Sequence, residues 1–184
     1  MKKIKLFLIA LIATATASYA QINLNGNWSP VGTTNLTKVT NDPDGGDGIS
    51  DGALIINGTT AVPGQGVVYT FGGTIEAGKT YLIDTYIYNF GNSHSKVIVS
   101  LFNSTNNTVL ASSDVLLLQT GTGKTPELSV PLSYTSTAAD TGNILQLRYI
   151  RSDDGNTSRD FNIDSAKLNG VVISSPLLDG KKKR

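Results

Sequence analysis

GVVYTFGGTIEAGKTYLIDTYIYN, residues Gly66 to Asn89, decides the fold. Val67 to Phe71 is rich in β-branched and aromatic residues, which suit a pleated, half-buried surface. Two glycines break that run, and Ala77-Gly78-Lys79 makes a turn. From Thr80 to Phe90 the side chains then alternate. Tyr81, Ile83, Thr85 and Ile87 share one face, which reads as core. Leu82, Asp84, Tyr86, Tyr88 and Phe90 share the other, a mixture of an acid and aromatics unlike a sealed interior. The period is two, not 3.6, so this is a strand pair and not a helix.

The same pattern recurs along the chain. Further strands are expected at Leu36–Thr40, Ala53–Asn57, Lys96–Phe102, Val109–Ser112, Val115–Gln119, Leu128–Leu132, Ile144–Arg151, Phe161–Leu168 and Val171–Ser174. Gly-, Asn-, Asp- and Ser-rich turns punctuate them, as in NSTNN and SDDGNTS. No window outside the N-terminus holds the apolar spacing of an amphipathic helix. The expected fold is all-β: a two-sheet antiparallel β-sandwich of jelly-roll type, in one domain. In ILQLRYIR, Leu145, Leu147 and Tyr149 suit the core, which turns Gln146 and Arg148 the other way. Tyr69, Phe71, Tyr81 and Phe161 are also assigned to the core.

Residues 1–20 read as a signal peptide. Lys2, Lys3 and Lys5 precede an apolar run from Ile4 to Ala17, and Ser18-Tyr19-Ala20 offers a cleavage site before Gln21. The sandwich then spans residues 21–175, and residues 176–184 form a basic tail. The expectation is a secreted, periplasmic or cell-surface protein of bacterial type, with no membrane span after cleavage. The chain has no Cys, so disulfides and thiolate metal sites are excluded. Fifteen Lys and Arg, less the three of the signal, leave 12 against 14 Asp and Glu. Four of the remaining cations are Lys181 to Arg184, so the folded part is mildly acidic. That argues against nucleic acid as a partner, which needs a basic face. With one His, His94, triads and zinc sites lack members. No carboxylate pair is singled out, so a catalytic role is not expected.

Several segments, in order, resemble the galactose-binding-like jelly-roll carbohydrate-binding modules of secreted polysaccharide-degrading enzymes. They are LNGNW (Leu24–Trp28), DGALIING (Asp51–Gly58), the Gly66–Asn89 stretch, LQLRYIRS and FNIDSAKLNG (Phe161–Gly170). The resemblance covers roughly Ile22 to Ser174. It implies glycan binding, and a structural calcium ion to which Asp164 contributes. Asn27 and Ser29 stand where the family carries acids in its first strand.

The candidate metal residues are Asp42, Asp44, Asp47 and Asp51 in NDPDGGDGISDG, together with Asp164. Closely spaced Asp with Gly can wrap a hard cation in oxygen ligands. An extra Gly interrupts the Asp-x-Asp-x-Asp-Gly spacing, so a calcium loop and a solvated polar turn both fit. The candidate carbohydrate residues are Tyr86, Tyr88, Gln146, Arg148, Asp84 and Trp28. Flat rings stack on the C–H faces of sugars while amides, Asp and Arg bind hydroxyls. Trp28 reads equally as a plug at the sandwich edge. The expected function is a secreted, non-catalytic module that binds polysaccharide through an exposed aromatic and polar face. The alternative is a structural or adhesive surface protein whose aromatic face meets another protein. If the Asp loop holds calcium, a concentration of 100 Kd adds about 2.7 kcal/mol. In a domain of this size that raises the melting temperature by about 5–10 °C over excess chelator. An unchanged melting temperature assigns the loop as a solvated turn.

Overall fold

A computed structural model describes residues 21–32, 35–38, 54–57, 63–88, 95–114, 116–118, 128–152 and 160–173. The strands are β1 (Asn23–Val31), β2 (Asn35–Lys38), β3 (Leu54–Asn57), β4 (Gly66–Gly72), β5 (Thr80–Tyr88) and β6 (Ser95–Asn103). They continue as β7 (Thr108–Ser112), β8 (Leu116–Leu118), β9 (Leu128–Thr135), β10 (Leu145–Arg151), β11 (Asp160–Leu168) and β12 (Val171–Val172). The expected signal peptide, the Asp-rich loop, His94 and the basic tail lie outside the described residues.

The strands form two six-stranded sheets, and every strand pair is antiparallel. The first runs β1-β4-β10-β6-β7, with β8 following β7 along the same edge of β6. The second runs β2-β3-β11-β5-β9, with β12 beyond β3 on β11. This is the all-β sandwich read from the alternation. Val67, Tyr69 and Phe71 from β4, Val97, Val99 and Leu101 from β6, and Leu145, Leu147 and Tyr149 from β10 line one inner face. Tyr81, Ile83 and Ile87 from β5, Val130 and Leu132 from β9, and Phe161, Ile163, Ala166 and Leu168 from β11 line the other.

β1 was not expected as a long strand, because Asn25-Gly26-Asn27 has poor strand propensity. Tyr69 explains it. Its buried hydroxyl accepts the Gly26 N–H at 3.0 Å and donates to the Leu24 carbonyl at 2.5 Å, across a break in the β1–β4 register. Only glycine fits there: a Cβ on Gly26 would fall against the Thr70 carbonyl and the Tyr69 ring.

One polar pair crosses the interior between the sheets. The Tyr149 hydroxyl lies 2.8 Å from Thr85 Oγ1, and both residues are buried. Thr85 Oγ1 donates at 2.6 Å to the carbonyl of Ser165. A threonine hydroxyl has one proton, so Tyr149 must be the donor to Thr85. The Ser165 carbonyl lies beside the register shift of β11 against β5. Burial raises the Tyr149 phenol well above its ordinary value, while the Thr85 hydrogen bond lowers it in part.

Replacing Thr85 by Val should therefore cost more than replacing Tyr149 by Phe. The first leaves both the Tyr149 hydroxyl and the Ser165 carbonyl without Thr85, at about 2–3 kcal/mol. The second removes one bond and leaves Thr85 satisfied by Ser165, at about 1 kcal/mol. Urea unfolding of the two variants checks the order, and equal losses would count against the chain of donors.

Candidate functional site

The alternation of β10 turns Gln146, Arg148 and Ile150 onto the outer face of the first sheet. Thr70 and Val68 of β4 flank them on one side, and Phe102, Ser100 and Ile98 of β6 on the other. Gln146 Nε2 donates to Thr70 Oγ1 at 3.0 Å. Arg148 then donates from Nε and Nη2 to the single Gln146 Oε1, at 3.0 and 2.8 Å. The guanidinium lies flat on Phe102, with its carbon 3.2 Å from the ring centroid. Arg148 and Phe102 are diagonal neighbours on the sheet, within reach of long side chains. Phe102 is only 7% exposed although it points away from the core. Burial lowers the Arg148 pKa from its usual value.

The rest of this face is largely apolar. Ile98, Ile150 and Val68 border Arg148 at one end, and Val109 (59% exposed) and Ile144 (40% exposed) continue the face beyond Phe102. The arrangement is a planar cation, propped from below by an aromatic ring and from the side by an amide, on an apolar floor. Such a surface can bind a polar group through the guanidinium and an apolar one beside it.

The six predicted carbohydrate residues do not come together. Asp84, Tyr86 and Tyr88 are on β5, in the second sheet, whereas Gln146 and Arg148 are on β10, in the first. Their outer faces point away from each other. The one exposed aromatic and polar face expected to hold them is therefore corrected to two separate faces. Tyr86 is half-buried on the outer face of the second sheet, opposite Ser129 and Ser165. Asp84 is beside it, accepting from Ser129 Oγ at 3.5 Å. Leu82 on this face is 52% exposed. Tyr88 has the right parity but is 1% exposed, so its ring offers no open platform. Trp28 faces inward, not outward. It packs edge-on against Tyr69 (centroids 5.1 Å apart, 62° between planes) and at a tilt against Tyr149 (5.9 Å, 33°), and caps the core at the β1 edge.

Asp164 sits at the irregularity of β11, between Ile163 and Ser165. Its side chain and Asp42, Asp44, Asp47 and Asp51 lie outside the described residues. Among the described residues no group of three His or acids could hold a metal ion.

Two residues of the Arg148 face went unread in the sequence, Thr70 and Phe102. The signal was available for Phe102: in KVIVSLFN it shares parity with Ser100 and opposes Val97, Val99 and Leu101. A second cluster was also missed. Asp140, in the short 3-10 turn Ala138–Asp140, is buried. Its Oδ2 accepts from the Tyr134 hydroxyl at 2.6 Å, the Thr137 N–H at 2.8 Å and the Thr137 hydroxyl at 2.7 Å. Burial raises the Asp140 pKa, but the bonds from Tyr134, Thr137 and Asn103 outweigh it and leave the net value below the usual one. Burial, and then Asp140 itself, push the Tyr134 phenol up to about 12. A carboxylate so fully engaged locks a turn; it is not poised as a general acid.

Comparison with solved structures agrees with this architecture. A Stig cyclase from Fischerella sp. TAU, in complex with (3Z)-3-(1-methyl-2-pyrrolidinylidene)-3H-indole, matches with a TM-score of 0.60 at 15% identity, over 85% of this chain and 90% of that one. The CBM22-1 xylan-binding domain from Paenibacillus barcinonensis Xyn10C matches with a TM-score of 0.56 at 10% identity, over 85% of this chain and 97% of that one. The chain folds as a jelly-roll β-sandwich. The CBM22-1 and GH10 modules of a Clostridium thermocellum xylanase, complexed with xylohexaose, match with a TM-score of 0.50 at 15% identity, over 83% of this chain and 28% of that one. No family model and no curated protein matches the chain. Among the described residues, no helix of this jelly roll is long and apolar enough to cross a membrane.

The Asp140 cluster makes a pH prediction. Its folded pKa lies below the unfolded value, so its stabilisation is complete above the unfolded value, near 3.8. It is lost as the pH falls from there through the folded value. Urea midpoints should drop between pH 5 and pH 3, and the drop should shrink in Asp140→Asn, which starts less stable at pH 5.

Proposed function

We propose that this jelly roll is a non-catalytic carbohydrate-binding module, and that the outer face of the first sheet holds the glycan. The observation that carries this is the Thr70–Gln146–Arg148 chain, fixed over Phe102 on an apolar surface. Free surface arginines are mobile, and ordering one costs entropy on binding. Arg148 is already ordered, by two hydrogen bonds and a ring beneath it. Its plane is ready to meet hydroxyls, while Val109, Ile144 and Ile150 meet the C–H faces of sugar rings. The likeness in fold to a xylan-binding domain supports the same reading by analogy. The likeness to a cyclase is the competing analogy. It finds less support, because none of the six strands of this sheet carries an Asp or Glu to serve as an acid or base.

An export signal at residues 1–20, as the sequence leads us to expect, would carry such a module outside the cell or into the periplasm, next to polysaccharide. Calcium held by the Asp loop and Asp164 would stabilise the fold. The second reading, an adhesive surface protein, rests on the opposite face, where exposed Leu82 lies in line with Asp84 and Tyr86. That face would meet a protein, not a sugar.

Affinity electrophoresis through a panel of soluble polysaccharides tests both. Retardation of the wild type that falls about tenfold or more in Arg148→Ala and Gln146→Ala, and not in Tyr86→Ala, supports the proposed face. Loss confined to Tyr86→Ala moves binding to the second sheet, and retardation by no polysaccharide sinks the glycan reading. Far-ultraviolet circular dichroism confirms that each variant is folded.

A further inference from the structure

Charge is divided unevenly between the sheets. The six strands of the first sheet carry Lys96, Arg148 and Arg151 and no carboxylate at all. The second sheet carries Asp84, Asp160 and Asp164. The acid nearest to these strands among the described residues is exposed Asp114, two residues beyond the end of β7. Arg151 is buried inward, but Arg148 and Lys96 share the outer face, since both oppose the parity of the core residues beside them. Lys96 is four residues along β6 from Ser100, the partner of Arg148, which is about 13 Å.

The partner of Arg148 is informative. A guanidinium has two forked edges that match a carboxylate. Gln146 Oε1 takes the Nε–Nη2 edge, through a single neutral oxygen. The Nη1–Nη2 edge has no partner among the described residues. The one ion pair among them, Lys79 with Glu76 at 3.8 Å, is elsewhere. A half-buried cation is thus oriented by an amide and an aromatic ring and neutralised by neither. A neutral hydroxyl could accept from the open edge, but it would leave the charge uncompensated on an apolar floor.

We infer that the glycan held by this face is acidic, and that the open edge of Arg148 takes the carboxylate of a uronic acid in bidentate fashion, with Lys96 attracting a further acid along the chain. This rests on the glycan reading and narrows it to a substrate class. Thr70 and Gln146 set the guanidinium plane. They are positioning residues, and Arg148 makes the contact.

The test compares polygalacturonate, alginate and glucuronoxylan with carboxyl-reduced forms of the same polymers, using the full chain. Lys181 to Arg184 stay in every variant, so attraction by the tail cancels. The expected result is retention on at least one polyuronate, about tenfold weaker on its carboxyl-reduced form. Arg148→Lys, which keeps the charge but loses the fork, should lose about tenfold on the polyuronate, and Lys96→Gln a smaller factor that vanishes at high salt. Equal binding to the acidic and reduced polymers overturns the inference and leaves the glycan reading standing. So does binding to neutral polymers alone. Equal binding to dextran sulfate, or an Arg148→Lys variant that binds like the wild type, overturns the carboxylate fork and reduces the face to charge attraction. Binding to no polymer at all overturns both. Thermal melts of the variants, matching the wild type, assign the losses to contact and not to misfolding.

Discussion

The hydrogen bond between Tyr149 and Thr85 sets the orientation of the outer face of the first sheet. It joins β10 of one sheet to β5 of the other through the middle of the core. A buried hydroxyl without a partner is costly, so the pair has few alternatives in register. A one-residue slip of β10 would send Tyr149 outward and bring Arg148 into the apolar interior. Leu145 and Leu147 favour the observed register through burial alone. Tyr149 adds a directional requirement that hydrophobic side chains cannot impose. The outward aim of Gln146, Arg148 and Ile150 is therefore a consequence of what Tyr149 does on the inside.

The same interaction reaches β11. Thr85 donates to the Ser165 carbonyl, next to the place where the β11–β5 ladder loses register. Bulges leave backbone groups without ladder partners. Here a side chain from the neighbouring strand serves one of them. Beside Tyr149 in the first sheet, Tyr69 does the same for the irregular β1, holding Leu24 and Gly26. Trp28 then closes over Tyr69 and Tyr149. Two tyrosines with engaged hydroxyls thus help the sandwich to contain irregular strands, although the buried Ser165 Oγ at the β11 irregularity finds no partner among the described residues. The price is that its aromatic residues are mostly spent inside.

That explains which parts were legible in the sequence. Alternation is local, and it gave the inward direction of Tyr81, Ile83, Thr85, Ile87, Leu145, Leu147 and Tyr149, all of them buried. Adjacency is not local. Nothing between Tyr86 and Arg148 in the sequence says that β5 and β10 belong to different sheets, so two outward faces were merged into one. Alternation also gives direction without cover: Tyr88 points out of the core and is nevertheless buried. β1 was read as a motif, not a strand, because its Asn-Gly-Asn centre depends on a tyrosine more than forty residues away. Phe102 was passed over because a phenylalanine in a strand is expected inside. Its place beneath Arg148 needs the pairing of β6 with β10.

The fold itself does not choose between the functions its neighbours carry, because sites are built on folds and not by them. The choice falls to the chemistry of one face. On the second sheet, Asp84 and Lys167 stand directly across from each other, so opposite charges are mixed on the surface. On the first, strand after strand admits Thr, Ser, Gln, Ile and Val but no acid. Mixing charges is what a face needs for solubility alone. Excluding one sign from these strands, and then fixing the remaining cation over an aromatic ring, lowers solvation of that cation without giving it a counter-ion among the described residues. Stability alone would favour a neutral residue at that position, or a carboxylate beside the cation. The acidic glycan proposed for this face would supply the missing charge.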